Sequence, residues 1–253
     1  MTSLAVLIGH GIGYSASPAM HNAAFAAIGM DARYELRDIG LHLLEREVEA
    51  LLDSDCLGAN VTKPHKVAVC ALVDELGLDV RRVGAANTIV RVGHRLIARN
   101  TDLAAIAAEL PPKVTRAIIL GAGGASRAAT VALAEIGCTD VLVLDRKRLP
   151  NLPGALVAAD LIINATPIGT DSDETPVPSY LLRPDLKVLD LVYRPHPTRL
   201  VREARAIGAS ARSGVGTLLR QAAASFSLWT GRDAPVDVMR QALEREIGLG
   251  TRV

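Results

Sequence analysis

Short runs of apolar and β-branched residues bounded by turn formers occur at 4–8, 58–61, 117–120, 141–144, 161–163 and 188–191, and they predict strands. Stretches rich in Ala and Leu at helical spacing lie between them, at 19–28, 43–52, 66–73, 103–110 and 126–136. A longer one at 218–230 ends at Gly231, and a last helix is predicted over 236–247. This alternation predicts an α/β protein with mainly parallel sheets. Pro111-Pro112 breaks the pattern ahead of the strand at 117–120 and marks a boundary between two α/β halves. The acidic, proline-bearing stretch 171–178 reads as a surface loop.

Composition narrows the class of ligand. The 253 residues suffice for two small domains, with 49% hydrophobic and 22% charged residues, as in an ordinary globular chain. Lys and Arg number 28 against 27 Asp and Glu, so no global field exists to hold a polyanion, and a general nucleic-acid binder is excluded. Aromatic residues make up only 3%, too few for a base-stacking platform, which points to polar, non-aromatic ligands. Cys56, Cys70 and Cys138 are scattered and form no CxxC pair, which predicts neither a disulfide framework nor a zinc site and fits a reducing cytoplasm. The six histidines follow no ligand pattern, so no metal is expected. Neither a targeting signal nor a membrane-length apolar run is found, and a cytoplasmic location is the expectation.

One turn carries recognisable binding chemistry. The strand at 117–120 runs into Gly121-Ala122-Gly123-Gly124-Ala125-Ser126-Arg127 and then an Ala-rich helix. Glycines let the backbone approach a diphosphate, and the helix N-terminus supplies free N–H groups and a favourable dipole. Ser126 occupies the third fingerprint position, where Gly or Ala is usual. Asp145 ends the next strand, where a ribose-binding acid belongs, yet Arg146, Lys147 and Arg148 follow at once and could neutralise a 2′-phosphate. The acid favours NAD and the basic trio favours NADP.

Polar clusters stand where other strands end and helices begin, the usual ligand side of an open α/β sheet. Ser15-Ala16-Ser17-Pro18 reads either as a cap, with Ser17 at the N-cap and Pro18 first in the helix, or as two hydroxyls suited to a carboxylate. Asn60-Val61-Thr62-Lys63-Pro64-His65-Lys66 follows a strand likewise; a lysine at a helix start opposes the helix dipole, so Lys66 calls for a compensating anion. Asn87-Thr88 and Asn100-Thr101-Asp102 add short polar groups.

Taken with Met20-His21-Asn22, Gly84-Ala85-Ala86, Asn164-Ala165-Thr166, Asp190, Val192-Tyr193, Gly214-Val215-Gly216, Gln221 and Leu228-Trp229-Thr230-Gly231, these motifs resemble the shikimate dehydrogenase family in order and spacing over nearly the whole chain. The resemblance implies two domains: an α/β substrate-binding catalytic domain at 1–103 plus 222–253, and a Rossmann-type dinucleotide-binding domain at 104–221, with substrate in the cleft between them. It implies reversible reduction of 3-dehydroshikimate to shikimate with NADPH, with Lys66 and Asp102 as the catalytic pair. Ser15 and Ser17 would hold the substrate carboxylate, and Thr62, Asn87 and Gln221 the ring hydroxyls, with Tyr193 nearby. Gly121, Gly123, Gly124 and Ala125 would face the diphosphate, Asp145 and Arg146 the adenosine ribose, and Asn164 and Thr166 the nicotinamide side. The resemblance leaves room for a homodimer.

Three departures qualify the carry-over. Tyr14 stands where the family usually has His, and Asp145 where it usually has Asn. Only 14 residues separate Asp145 from Asp160, with Pro150 and Pro153 among them, where family members usually fit another helix and strand. The dinucleotide domain is therefore expected to be shortened after its second strand, with weakened or rerouted adenosine contacts. Asp145 supports an NAD-dependent quinate/shikimate dehydrogenase as an alternative. The short segment supports a second, a shikimate-binding relative that no longer uses cofactor, against which the intact Lys66 and Asp102 argue.

Overall fold

The computed structural model describes residues 2–53 and 55–249, so residues 250–253 of the expected C-terminal segment lie outside it. The chain forms two compact units, Met1–Asp102 with Leu219–Val253, and Leu103–Leu218. The return to the first unit comes at Leu219, ahead of the expected 222, because Gln221 bonds within the first unit, its Oε1 lying 3.5 Å from Asn87 Nδ2.

The first unit is built around β1 (Ser3–Gly9), in which Ala5, Val6, Leu7 and Ile8 are all buried, as a strand covered on both faces must be. After α1 (Ser17–Ala27) come β2 (Ala32–Asp38), α2 (Leu44–Glu49), β3 (Cys56–Val61), β4 (Glu75–Leu76), α3 (Leu78–Val83), β5 (Thr88–Val92) and β6 (Arg95–Arg99). The sheet order is β2-β1-β3-β5-β6-β4. β1, β2 and β3 run parallel, β5 runs antiparallel to β3, and β6 turns back antiparallel to β5. One inverted strand thus brings the C-terminal ends of β1, β3 and β6 and the N-terminal end of β5 to the same edge of the sheet. Val6, Ile8, Val48, Val61, Ile89 and Leu96 are among the residues of its apolar core.

The second unit holds β7 (Arg116–Leu120), α5 (Gly124–Glu135), β8 (Asp140–Leu144), α6 (Leu152–Leu156), β9 (Leu161–Asn164), β10 (Lys187–Asp190), α7 (Arg199–Ala206) and β11 (Ala211–Arg212). Its sheet is parallel throughout, in the order β11-β10-β9-β7-β8. The run from β8 to β9 folds as one 3-10 turn and the short α6, with Pro150 and Pro153 in their first turns, where a missing N–H costs nothing. β8 is an edge strand, and among the described residues no further strand follows it before β9. Two helices belong to both units: α4 (Thr101–Ala107) leads out of the first, and α8 (Val215–Thr230) leads back into it, ahead of α9 (Val236–Glu246).

Two local expectations are corrected. The stretch 66–73 is not an α-helix but a series of turns ending in the 3-10 segment Ala68–Ala71. Val67, Val69 and Val73 lower its helix propensity, and the Lys66 carbonyl accepts from Ala86 N at 2.8 Å instead of serving a helix. Ser17 is the first residue of α1 rather than its cap; Ala16 takes the cap position without a side-chain bond.

Gly58 in β3 has φ +148°, and a Cβ there would lie 2.2 Å from Ile89 O and 2.7 Å from Trp229 Nε1. Trp229 Nε1 donates to that same carbonyl at 2.9 Å, so the indole of α8 occupies the space a side chain would need. Gly58→Ala is expected to destabilise the protein by more than about 2 kcal/mol, read as a lower urea midpoint at unchanged slope.

Candidate active site

The inverted strand explains why distant motifs meet. Val61 ends β3, Asn87 precedes β5 and Arg99 ends β6, so the segments carrying Lys66, Asn87 and Asp102 leave one sheet edge together. Lys66 Nζ donates to Asp102 Oδ2 at 2.5 Å, with both side chains largely buried. Asn87 Nδ2 donates to the other carboxylate oxygen at 2.9 Å. The orientation of the Asn87 amide is fixed, since its Oδ1 accepts the Thr101 backbone N–H at 2.7 Å and only the NH2 can face Asp102. Asp102 lies in the first turn of α4, where the helix dipole favours an anion. The anion expected beside Lys66 is therefore Asp102, although no helix begins at Lys66.

The predicted substrate residues of the first unit fall into two layers. Ser15, Thr62, Lys66 and Gln221 are half-buried, whereas Ser17, Asn87, Thr101 and Asp102 are buried. Ser15 Oγ accepts the Ser17 backbone N–H at 3.2 Å. Beneath them the sheet carries polar side chains in its interior: Asn60 of β3 stands opposite Thr88 of β5 and donates to its hydroxyl at 3.2 Å. Tyr34 of β2 donates its hydroxyl to Asn60 Oδ1 at 2.8 Å and also bonds the Ser17 side chain; burial pushes this phenol above its usual range. Tyr34 escaped the sequence reading because its strand mixes polar and apolar residues. Tyr193 lies after β10 in the second unit. The departure Tyr14 places its ring 5.0 Å from the Lys63 ammonium, a cation–π contact.

In the second unit Gly121 follows β7 with φ +102°, and a Cβ on it would lie 2.9 Å from Ala165 O. Gly123 caps α5 and has open space around its missing side chain, while Gly124 and Ala125 form the first turn. A glycine loop with unencumbered backbone N–H groups at a helix start fits a dinucleotide diphosphate. Arg146, Lys147 and Arg148 are exposed beyond β8. Asp145 Oδ1 accepts the backbone N–H groups of Lys147 and Arg148 at 3.0 and 2.9 Å, so its carboxylate shapes the turn that presents them. Asn164 is fully buried: its Nδ2 donates to Asp190 Oδ1 at 2.9 Å and to Ile168 O, and its Oδ1 accepts from Thr166 N and Oγ1. Its side chain is committed to forming the loop, and Thr166 is the half-buried member of that pair. Burial raises the Asp190 pKa, against the lowering effect of bonds from Thr198, Val192 and Asn164.

Comparison with known proteins matches residues 7–89 to the shikimate dehydrogenase substrate binding domain and residues 214–244 to the shikimate 5′-dehydrogenase C-terminal domain. The shikimate dehydrogenase (NADP(+)) of Methanopyrus kandleri is 40% identical over 275 residues, covering 96% of this chain and 95% of that protein. The chain belongs to the shikimate dehydrogenase family. Among solved structures, the shikimate 5-dehydrogenase of Thermus thermophilus in complex with NADP(H) and shikimate superposes with a TM-score of 0.85 at 34% identity, covering 96% of this chain and 99% of that one. The quinate dehydrogenase of Corynebacterium glutamicum in complex with NAD gives 0.83 at 28% identity, with the same coverages. The alignment to the Methanopyrus protein is longer than the 253 residues of this family member, so it opens gaps in this chain.

The floor of the site leads to a further consequence. His21 is fully buried, stacked on Tyr34 at 4.4 Å between centroids, and neither ring nitrogen has a hydrogen-bond partner among the described residues. Desolvation lowers its pKa from 6.5 to about 3. Below 6.5 the unfolded chain takes up a proton that the folded chain refuses, so this contribution to stability is complete above that pH and is lost as pH falls toward 3. Urea unfolding across that range should show a loss of up to about 1.4 kcal/mol per pH unit, and His21→Phe should flatten it.

Proposed function

We propose that this protein reduces the ring ketone of 3-dehydroshikimate to shikimate with NADPH, and runs the reverse oxidation. The observation that carries this reading is the pair of half-buried Lys66 and buried Asp102 at 2.5 Å, set beside half-buried hydroxyl and amide groups at one sheet edge. A cyclic carboxylic acid rich in hydroxyls suits such an edge: Ser15 and Ser17 receive the carboxylate, and Thr62, Asn87 and Gln221 the ring hydroxyls. Asn87 acts chiefly on Asp102, since its amide is already engaged there.

Reduction turns a carbonyl oxygen into an alkoxide. The Lys66 ammonium donates a hydrogen bond to that oxygen as charge develops and then the proton itself. Asp102 holds the ammonium in place through Oδ2, and its own position is fixed by Asn87 at Oδ1. In the oxidation direction the same pair receives the hydroxyl proton. The nicotinamide, when bound, supplies the hydride. Gly121, Gly123, Gly124 and Ala125 hold its diphosphate, Arg146 and its basic neighbours the 2′-phosphate, and the loop at Thr166 the nicotinamide side.

The quinate and NAD alternative rests on Asp145, whose charge lies beside the basic trio. We also infer a cytoplasmic location, supported by the scattered spacing of Cys56, Cys70 and Cys138 in the sequence. No described helix is long and apolar enough to cross a membrane.

Absorbance of the reduced nicotinamide, followed with NADP or NAD against shikimate or quinate, tests the reading. Fastest turnover is expected with NADP and shikimate; binding of shikimate without turnover of any pair would overturn it. Lys66→Ala is expected to lower kcat by about 10²–10⁴-fold with a smaller change in substrate KM, and an unchanged kcat would remove Lys66 from proton transfer. Asp145→Asn keeps the turn acceptor but removes the charge, so kcat/KM with NADPH should rise about fivefold while that with NADH does not. An unchanged NADPH-to-NADH ratio would confine Asp145 to its turn.

A further inference from the structure

Helix α8 packs through a stripe formed by Leu219, Ala222, Phe226 and Trp229, all buried, and Ser225 lies within it as a fully buried polar exception. An alanine would continue the stripe, and a mid-helix serine gains little for the helix itself. The hydroxyl has to be explained by what it meets. Ser225 Oγ accepts from Asn60 Nδ2 at 2.9 Å, lies 2.9 Å from Thr88 Oγ1 and 3.3 Å from Thr101 Oγ1, and donates to the Gln221 carbonyl at 3.0 Å. Thr101 precedes Asp102 in the chain, and its hydroxyl lies 2.9 Å from Asn87 Nδ2, the amide that holds Asp102.

We propose that Ser225 is a positioning residue for the Lys66–Asp102 pair, acting through Thr101 and Asn87, and for Gln221 one helical turn before it; the proposal rests on the reading of the reaction given above. The polarity of the network supports a defined direction. Tyr34 donates to Asn60 Oδ1, which turns the Asn60 NH2 toward Ser225. Ser225 donates its O–H to the Gln221 carbonyl and accepts from Asn60, with the Thr88 and Thr101 hydroxyls within reach of the same oxygen. Removing the hydroxyl takes the shortest of three acceptors from the Asn60 NH2, leaving it Asn87 O and Thr88 Oγ1, and frees Thr88 and Thr101 to turn toward other acceptors. Both threonine hydroxyls lie within reach of Asn87 Oδ1, Thr88 at 3.1 Å and Thr101 at 3.2 Å, so the freed donors draw on the amide of Asn87. Its oxygen and nitrogen are both in the network that fixes Asp102.

The test is Ser225→Ala in the full chain, at a temperature where circular dichroism shows it folded. The expected result is a kcat for shikimate oxidation lower by about tenfold, a raised shikimate KM and an unchanged KM for NADP. Combined with Asn87→Ala, it should add no further loss, because both act on one carboxylate. Acetylation of Lys66 by acetic anhydride, read by mass spectrometry, should be severalfold faster than in wild type, while exposed Lys147 serves as the unchanged control. A lower melting temperature with wild-type kinetics, additive losses in the double variant, or an unchanged Lys66 acetylation rate would each overturn the proposal. If Ser225→Ala does not fold, Ser225→Cys, close in volume but a poor hydrogen-bonding partner, takes its place with the same readouts. Wild-type protein that turns over no shikimate would refute the reaction instead, and Lys66 acetylation would then decide the role of Ser225 by itself.

Discussion

A carboxylate taken out of water must find all its partners in the protein, and Asp102 imposes that demand on the first unit. One oxygen takes the Lys66 ammonium and the other the Asn87 amide. Asn87 can offer its NH2 only because Thr101 claims its oxygen, and Thr101 can do so only because β6 ends beside the start of β5. An ion pair of this kind contributes little net stability, since desolvation offsets most of the attraction, but it is sensitive to the loss of either member. Its value lies in geometry: the amine is held at one place on a sheet edge.

The surrounding fold can be read as the means of satisfying that demand without water. Inverting β5 within an otherwise parallel core brings three motifs to one edge that a uniformly parallel sheet would split between its two ends. The polar interior of β3 and β5 then needs a lid with its own hydroxyl, which α8 supplies, and a floor, which Tyr34 and the aromatic cluster under it supply. Gly58 matters for the same reason, because it leaves room for the indole that anchors α8 to β5.

The sequence was most legible where burial is one-sided or complete. The runs at 4–8, 117–120 and 161–163 are apolar throughout because their strands are central, and the glycine turn announces itself by composition. The hairpin of β5 and β6 went unread, since Arg91, Arg95 and Arg99 interrupt its apolar residues and each strand has only five residues. The stretch 66–73 misled for the opposite reason: it is apolar enough for a helix, but its first carbonyl is claimed from outside by Ala86. Motif residues such as Lys66 and Asp102 were legible individually, whereas Tyr34 and Ser225 were not. Both bond the Asn60 side chain, 26 and 165 positions away, and no local pattern encodes such distances. Asn164 was legible as important, but its buried amide serves the loop from within.

The edge position of β8 has a cost outside catalysis. With β8 at the end of its sheet, one side of that strand has backbone donors and acceptors facing outward, and such a side can pair with a strand from another molecule. The strand has only five residues, opens with Asp140 paired to Arg116 at 3.6 Å, and closes against Arg146, Lys147 and Arg148. Charges at both ends are a familiar protection against edge-to-edge association. The basic trio, proposed above for the 2′-phosphate, thus also charges the end of an open sheet edge, and exchanging it for neutral residues to alter cofactor preference would remove that charge.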